Sequence, residues 1–168
     1  MKYIILLLAL LWPGQGYACL GDCQLDDNGY VMVKQFEGLR LFPYKDVVGI
    51  ETIGFGHVVL ETDRFQTPLT GPEALALLQA DVAARTPYLN SMLVRDLADD
   101  QWASLFDFAF NLGLNNLKHS TLLRAVNAGQ DGKVPANFLK WDRAGGRAIN
   151  GLLIRRRAEA ALYERGIP

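Results

Sequence analysis

The sequence predicts an α+β fold in which one small antiparallel sheet precedes a series of helices. Between Leu39 and Val59, β-branched and aromatic residues alternate with glycine, which is typical of short strands. Beyond this stretch, apolar residues recur at helical spacing and follow capping signals. The chain has 168 residues, half of them hydrophobic, which is enough to build the core of one such domain.

The N-terminal segment is expected to serve export. Lys2 precedes ten apolar residues, 3–12, and the small residues Gly16 and Ala18 frame a cleavage site for signal peptidase. Ten apolar residues fall short of the roughly 20 that a membrane-spanning helix requires. We therefore expect residues 1–18 to be a signal peptide or a releasable signal-anchor, which would make transient membrane contact.

Residues 19–27 are predicted to form a short linker that contains both cysteines of the chain, Cys19 and Cys23. An exported chain meets an oxidising compartment, so both a small disulfide loop and an intermolecular bridge are compatible with the sequence. Two thiols without a neighbouring histidine make a poor metal site. The folded domain is then expected to span residues 28–168.

The predicted elements begin with a helix that ends at Gly38 and continue with a hairpin. The start of the helix is indicated by the capping side chains Asp26, Asp27 and Asn28. Its apolar positions then follow at helical spacing, and they are Tyr30, Val33 and Phe36. The strands that follow are expected at 39–45 and 52–57. The intervening turn would then bring the two strand ends close together.

Helices are predicted for most of the remaining chain. Thr70 and Glu73 have capping-box spacing and start a helix that should run toward Thr86 and Pro87. A second helix is expected over 99–112, with Gly113 as its end. Further helices are expected at 120–128, 134–141 and 151–165.

Two acids in the first part of the chain suggest catalysis. Glu37 lies in the last turn of the first helix, where the helix dipole and burial favour the protonated form of its carboxyl group, as a general acid requires. Asp46 and Thr52 should meet at one end of the hairpin, where a carboxylate beside a hydroxyl can hold a water molecule. Two carboxyl groups in different environments with a water site form the arrangement for glycoside hydrolysis. Acid pairs in turns are nevertheless often only solvated surface.

The same stretch resembles the catalytic signature of the phage lysozymes, the muramidase endolysins of glycoside hydrolase family 24. Their pattern E-G-x-R-L-x-x-Y-x-D, then G, then T-I-G-x-G-H is matched throughout residues 37–57, including Glu37, Asp46 and Thr52. Later segments are similar to the family's F-N-x-G, S-T-L-L and W-x-x-A-G-G…G-L-x-x-R-R-x-x-E motifs, and these are 110–113, 120–123 and 141–159.

The resemblance implies a lysozyme-like fold, with the sheet in an N-terminal lobe and a mainly helical C-terminal lobe. It also implies an endolysin that cleaves the β-1,4 bond between N-acetylmuramic acid and N-acetylglucosamine in peptidoglycan. Glu37 would donate a proton to the glycosidic oxygen, and Asp46, helped by Thr52, would direct water to the opposite face. Such inversion requires carboxyl groups about 6.5–9.5 Å apart. No metal or organic cofactor is implied.

Further residues acquire expected roles from the resemblance. Phe110 would contact the sugar, although core packing is an equally simple role, and Thr121 would form a hydrogen bond with it. Arg147 would approach Glu37 and balance its charge, unless it is only a solvated arginine. His57 is expected to pair with Asp81 in a structural bridge between the sheet and the following helix.

The remaining expectations concern partners and rival functions. A net charge of −1 argues against the basic footprint of a nucleic-acid binder, and no G-K-[ST] follows a glycine pair to suggest a nucleotide site. We expect a monomer, exported to the periplasm or cell envelope of a bacterial host. A lytic transglycosylase, a chitinase and a non-catalytic wall-binding module are the alternatives; Asp46 and Thr52 argue against the first, and the intact Glu37 against the last.

Overall fold

The computed structural model describes residues 23–46 and 49–167, and the predicted export segment lies outside these ranges. The helices, in chain order, are α1 (Asp27–Glu37), α2 (Gly71–Asn90), α3 (Asp99–Leu112), α4 (Leu114–His119), α5 (Thr121–Asn127), α6 (Val134–Phe138) and α7 (Asn150–Arg165). The strands are β1 (Arg40–Lys45), β2 (Glu51–Gly54), β3 (His57–Val58), β4 (Arg143–Ala144) and β5 (Arg147–Ala148).

Helix α1 is bounded by the two signals that the sequence contains. The Asp26 side chain accepts a hydrogen bond from the Gly29 amide and caps the first turn. At the other end Gly38 has a φ of 69°, and its amide donates to the Lys34 carbonyl. This left-handed conformation suits glycine, and it terminates the helix one residue after Glu37.

The first sheet is antiparallel, in the order β1-β2-β3. Tyr44 pairs with Thr52 and Ile53 with His57. The sequence predicted one strand over 52–57, and the structure divides this stretch into β2, a turn and β3. The division follows from Gly54 and Gly56, whose φ values of 67° and 87° lie outside the range of a continuous strand.

Helix α2 runs four residues beyond its predicted end near Thr86. Pro87 deprives the helix of one amide donor, but the residues after it are held by the core. Leu89 is fully buried, and Asn90 accepts a hydrogen bond of 2.7 Å from the Trp102 indole. Burying a leucine contributes about 1.5–3 kcal/mol, which is comparable to the roughly 3 kcal/mol cost of proline within a helix.

The described residues form two apolar cores, and α2 contributes to both. Ile53, Leu69 and Ala74 form the smaller core beneath the sheet. Leu78 and Val82, further along α2, belong to the larger helical core. The α+β architecture with a small sheet lobe and a helical lobe is therefore confirmed.

Helix α3 forms the centre of the helical lobe. Its residues from Gln101 to Ala109 are all buried, and it packs against α1, α4 and α7. Aromatic rings fill this core: Trp102 stacks on Phe106 with 5.2 Å between centroids, and Phe108 meets the edge of Trp141 at 5.3 Å. The predicted bounds of this helix agree with the structure.

The segment between α5 and α7 is less regular than predicted. In place of one helix over 134–141, α6 ends at Phe138 and a 3-10 turn covers 139–141. The short hairpin β4–β5 follows, with Gly145 and Gly146 at its tip in left-handed conformations. Glycines of this kind are typical of a tight hairpin turn.

Two residues of the predicted linker pack against the helical core. Cys23 and Leu25 are buried in the larger core, and Asn90 donates a hydrogen bond to the Cys23 carbonyl. Cys23 is disulfide-bonded, whereas Cys19 lies outside the described residues. Within residues 23–46 and 49–167, no helix combines the length and apolar character needed to cross a membrane.

Candidate active site

Glu37 is the last residue of α1, and its side chain is 19% exposed. Its carboxyl oxygen Oε1 accepts a hydrogen bond of 2.7 Å from the Nη1 group of Arg155 on α7. The Arg155 side chain is itself 5% exposed, and its guanidinium group lies over the Phe36 ring, 5.3 Å from the centroid. Glu37 is therefore partly accessible to a ligand and held in a defined orientation.

Gly56, in the turn between β2 and β3, lies directly against Glu37. A β-carbon at this position would be 3.3 Å from Glu37 Oε2 and 3.9 Å from the Phe110 ring. Both the left-handed φ of Gly56 and this close approach favour glycine. The structure thus places Glu37, Gly56 and Phe110 together, at the junction of α1, the sheet and α3.

Asp46 and Thr52 lie near the same end of the β1–β2 pair, as the hairpin predicted. The amide of Asp46 donates to the Ile50 carbonyl, and the Ile50 amide donates to Asp46 Oδ1 at 2.8 Å. The Thr52 hydroxyl is buried and donates to the same Ile50 carbonyl at 3.1 Å. One turn therefore fixes the orientation of both side chains.

Tyr44 connects the two acids electrostatically. Its position on β1 is directly opposite Thr52. Burial raises the pKa of the Tyr44 phenol, and the negative charges of Glu37 and Asp46 raise it further, against the opposing charge of Arg40. Both carboxyl groups consequently act on the same phenol, as expected of residues that border one site.

His57 bridges two aspartates. Its Nδ1 lies 2.9 Å from Asp81 Oδ2 on α2, the pairing predicted from the sequence, and its Nε2 lies 3.1 Å from Asp63 Oδ2. Burial alone would lower the pKa of His57, but the hydrogen bonds and charges of the two aspartates outweigh burial and raise it. With carboxylates on both ring nitrogens, His57 is suited to a structural link.

The link continues toward the candidate site through Arg85. This residue donates from Nη1 to Asp81 Oδ1 at 2.8 Å, and its guanidinium lies over the Phe110 ring, 4.9 Å from the centroid. Phe110 is partly exposed and also packs against Phe106. Its ring is therefore oriented by both the core and Arg85.

The other predicted contact residues are placed differently. Thr121, at the first position of α5, is exposed, and its hydroxyl donates to Asn137 Oδ1 at 2.7 Å. Arg147 is exposed on β5. The arginine that forms an ion pair with Glu37 is Arg155, and the approach of Arg147 to this carboxyl group stays a prediction.

Sequence reasoning missed three residues that support the site: Arg155, Asp107 and Asp63. Arg155 and Arg156 occur in the R-R-x-x-E motif, but they are buried within α7. The available signal was their spacing from apolar residues of α7: Ala160 follows Arg156 by four positions and Leu162 follows Arg155 by seven, which places them on one helix face. Asp107 resembled any other acid within an amphipathic helix.

Comparison with known families gives a consistent result. The phage lysozyme family model matches residues 34–159. The endolysin of Bacillus phage B103 is 39% identical over 144 residues, which is 84% of this chain and 54% of that protein. The SAR-endolysin of Bacteriophage PS119 is 35% identical over 123 residues, 73% of each chain. This chain thus spans about half the length of the Bacillus phage relative.

Similar solved structures include the endolysin from Escherichia coli O157:H7 phage FAHEc1. Its TM-score is 0.76 at 29% sequence identity, and the match covers 86% of this chain and 96% of that one. The match thus extends over nearly the whole of that endolysin.

Proposed function

The chain belongs to the phage lysozyme family, and on this basis we propose that it is an endolysin that hydrolyses bacterial peptidoglycan during host cell lysis. The bond cleaved is the β-1,4 linkage between N-acetylmuramic acid and N-acetylglucosamine. The principal support is the position of Glu37, a partly buried carboxyl group held between α7, the Gly56 turn and Phe110.

Glu37 is the general acid of this mechanism. Its proton passes to the glycosidic oxygen as the bond from that oxygen to the anomeric carbon breaks. Oε1 is occupied by Arg155, and Oε2 faces Gly56, where the absence of a side chain leaves room for a substrate. The proton is therefore delivered from a fixed direction.

Asp46 and Thr52 position and activate the water. The water attacks the anomeric carbon from the face opposite Glu37 and gives its proton to the Asp46 carboxylate, which inverts the configuration. Since the Thr52 hydroxyl donates to Ile50, its oxygen remains able to accept a hydrogen bond from that water. A carboxyl separation of about 6.5–9.5 Å belongs to this proposal.

Substrate contacts are assigned to the residues around these groups. Phe110 offers an apolar ring edge beside Glu37, suited to a sugar or acetamido group. Thr121 and Arg147, both exposed, would contact the glycan further along its length. His57 and Asp81 have a structural role, and the reaction uses no metal or organic cofactor.

The proposal extends to location and organisation. Residues 1–18 would export the chain to the periplasm or cell envelope, cleaved as a signal peptide or released after transient membrane contact. A SAR-endolysin among the relatives supports the second route. Residues 19–27 would then follow this segment, and the catalytic domain, 28–168, would act as a monomer on the peptidoglycan polymer.

The test uses purified peptidoglycan and compares the wild-type chain with Glu37→Gln. We expect the variant to lose activity by about a hundredfold or more, whereas Glu164→Gln, an exposed acid in the last turn of α7, should keep wild-type activity. Equal release of sugar ends by wild type and Glu37→Gln would contradict the proposal. The appearance of new reducing ends distinguishes hydrolysis from transglycosylation, and their anomeric configuration distinguishes inversion from retention. Activity on chitin oligomers in place of peptidoglycan would identify a chitinase.

A further inference from the structure

Arg155 divides its guanidinium group between two acids. Nε and Nη2 donate to the two oxygens of Asp107 at 2.8 and 3.0 Å, and Nη2 also reaches the Asp107 carbonyl at 3.3 Å. The remaining group, Nη1, donates to Glu37 at 2.7 Å. A bidentate pair fixes the plane of a guanidinium, so Asp107 determines the direction from which Arg155 meets Glu37.

This pairing resolves a conflict at the candidate acid. A guanidinium in contact with a carboxyl group favours the ionised form, yet a general acid must hold its proton until the bond breaks. Asp107 is fully buried on α3, and Arg155 is nearly so. In such surroundings charges interact strongly, and the carboxylate of Asp107 offsets much of the positive charge that Glu37 would otherwise experience.

A second buried acid, Glu159, lies nearby but contacts a different arginine. It is fully buried, and its Oε1 is 3.6 Å from Arg155 Nε and 2.8 Å from Arg156 Nη2. In the described part of the chain, neither of its carboxyl oxygens has a partner with good hydrogen-bond geometry. Burial, together with the neighbouring Asp107, raises the pKa of Glu159 well above its usual value despite Arg156. The short contact of Glu159 is therefore with Arg156, whereas Asp107 is the buried acid that holds the guanidinium bound to Glu37.

We propose that Asp107 is a positioning residue for the glycosidase reaction. It acts through Arg155 to orient Glu37, and it limits how strongly the charge of Arg155 favours loss of the Glu37 proton. This inference rests on the function proposed above. It assigns to α3 a part in catalysis although Asp107 is fully buried and exposes no surface to the candidate site.

The experiment measures kcat/KM on peptidoglycan against pH for the full chain and for Asp107→Asn. The variant keeps the shape of the side chain and removes its charge, so the basic limb of the profile should move about one pH unit lower. At neutral pH the activity would then fall about tenfold, with recovery toward the wild-type value in acid. A purely structural defect would instead lower activity by the same factor at every pH.

Glu159→Gln is the matched control, since it changes a second fully buried carboxyl group of the same cluster, whose short contact of 2.8 Å is with Arg156 and not with Arg155. Its basic limb should stay at the wild-type pH, whatever its effect on stability. Equal shifts in Asp107→Asn and Glu159→Gln, or an unmoved limb in Asp107→Asn, would overturn the inference. Melting temperatures of the variants establish that each is folded at the assay temperature.

If Asp107→Asn does not fold, Arg155→Gln tests the same contacts by removing the positive charge in place of the negative one. Removing the positive charge should move the basic limb to higher pH, opposite to the effect of Asp107→Asn. A shift to lower pH, or none, would contradict the inference. Glu37→Gln distinguishes failure of this inference from failure of the proposed function. If Glu37→Gln is inactive but the pH profile of Asp107→Asn is not shifted, only the role of Asp107 is refuted. If Glu37→Gln is active, the proposed function is refuted as well.

Discussion

At the scale of single residues, Glu37 is defined by contacts that come from three distant parts of the chain. The arginine that binds it lies 118 positions away, and Gly56 and Phe110 approach its other side. Each contact restrains a different direction of movement. In its proposed role as proton donor, a carboxyl group restrained in this way is preorganised, because little rearrangement is needed before proton transfer.

Gly56 provides a prediction at this scale. Gly56→Ala should lose about 1–2 kcal/mol of stability, since alanine is strained at a φ of 87°. The added methyl group would also lie 3.3 Å from Glu37 Oε2 and displace that carboxyl group. We therefore expect activity on peptidoglycan to fall about tenfold or more. Chemical denaturation and reducing-end release measure the two effects.

Gly113→Ala is a fair comparison for Gly56→Ala. Gly113 has a nearly identical φ of 89°, and nothing lies within 4 Å of a β-carbon built there. This variant should lose similar stability and keep its specific activity. A similar loss of activity in both variants would show that backbone strain alone, and not contact with Glu37, explains the effect.

The residue scale also shows what a sequence can and cannot predict about this site. Asp46 and Thr52 are close in sequence, so a hairpin suffices to bring them together. Arg155 reaches Glu37 only because α7 packs on α3, and the spacing of residues in α7 indicates a buried face without naming α3 as its partner. For the same reason the sequence did not single out Arg155 as the arginine that contacts Glu37.

At the scale of elements, α1 acts as the support that carries Glu37 to the site. Asp26 caps its first turn, and its removal leaves an amide donor unsatisfied. Asp26→Ala should therefore destabilise the protein by about 1 kcal/mol, measured as the free energy of unfolding in urea. The specific activity of the folded fraction should not change, since Glu37, the proposed general acid, lies at the opposite end of the helix.

Asp27→Ala separates capping from general electrostatics. Asp27 is exposed in the first turn of α1 and interacts with the helix dipole, an effect of about 0.3–1 kcal/mol. We expect a smaller loss than for Asp26→Ala. Equal losses would mean that charge near the helix start, and not the hydrogen bond to Gly29, accounts for the contribution of Asp26.

Element boundaries were predictable where a side chain or a glycine sets them locally. The start of α1, the capping box of α2 and the end of α3 at Gly113 all agree with the structure. The end of α2 was not predictable, because tertiary contacts of Leu89 and Asn90 carry the helix past Pro87. Propensity sets a preference that packing of this size can override.

At the scale of the whole molecule, two cores meet along α2, and side-chain contacts link the sheet lobe to that helix. His57 on β3 does this through Asp81, and Asp63 holds the other ring nitrogen. Arg85 then extends the chain of contacts to Phe110 on α3. The junction beside the candidate site thus depends on a histidine held between two carboxyl groups.

Proton binding by this histidine makes the stability of the junction depend on pH. The pKa of His57 in the folded state is raised by Asp81 and Asp63 above the reference value of 6.5. A raised folded pKa means that the stabilisation is fully present below about pH 6.5 and is lost as the pH rises through the folded value. We expect the unfolding free energy of the wild type to decline across that interval.

His57→Gln should abolish this decline and lower stability by about 1–3 kcal/mol at pH 6, because two aspartates lose their partner. Asp63→Asn should retain part of the decline, since Asp81 still contacts the ring. Urea unfolding at a series of pH values between 5 and 9 measures both effects. A decline of unchanged size in His57→Gln would mean that another group causes it, and that protonation of His57 does not stabilise the junction between the lobes.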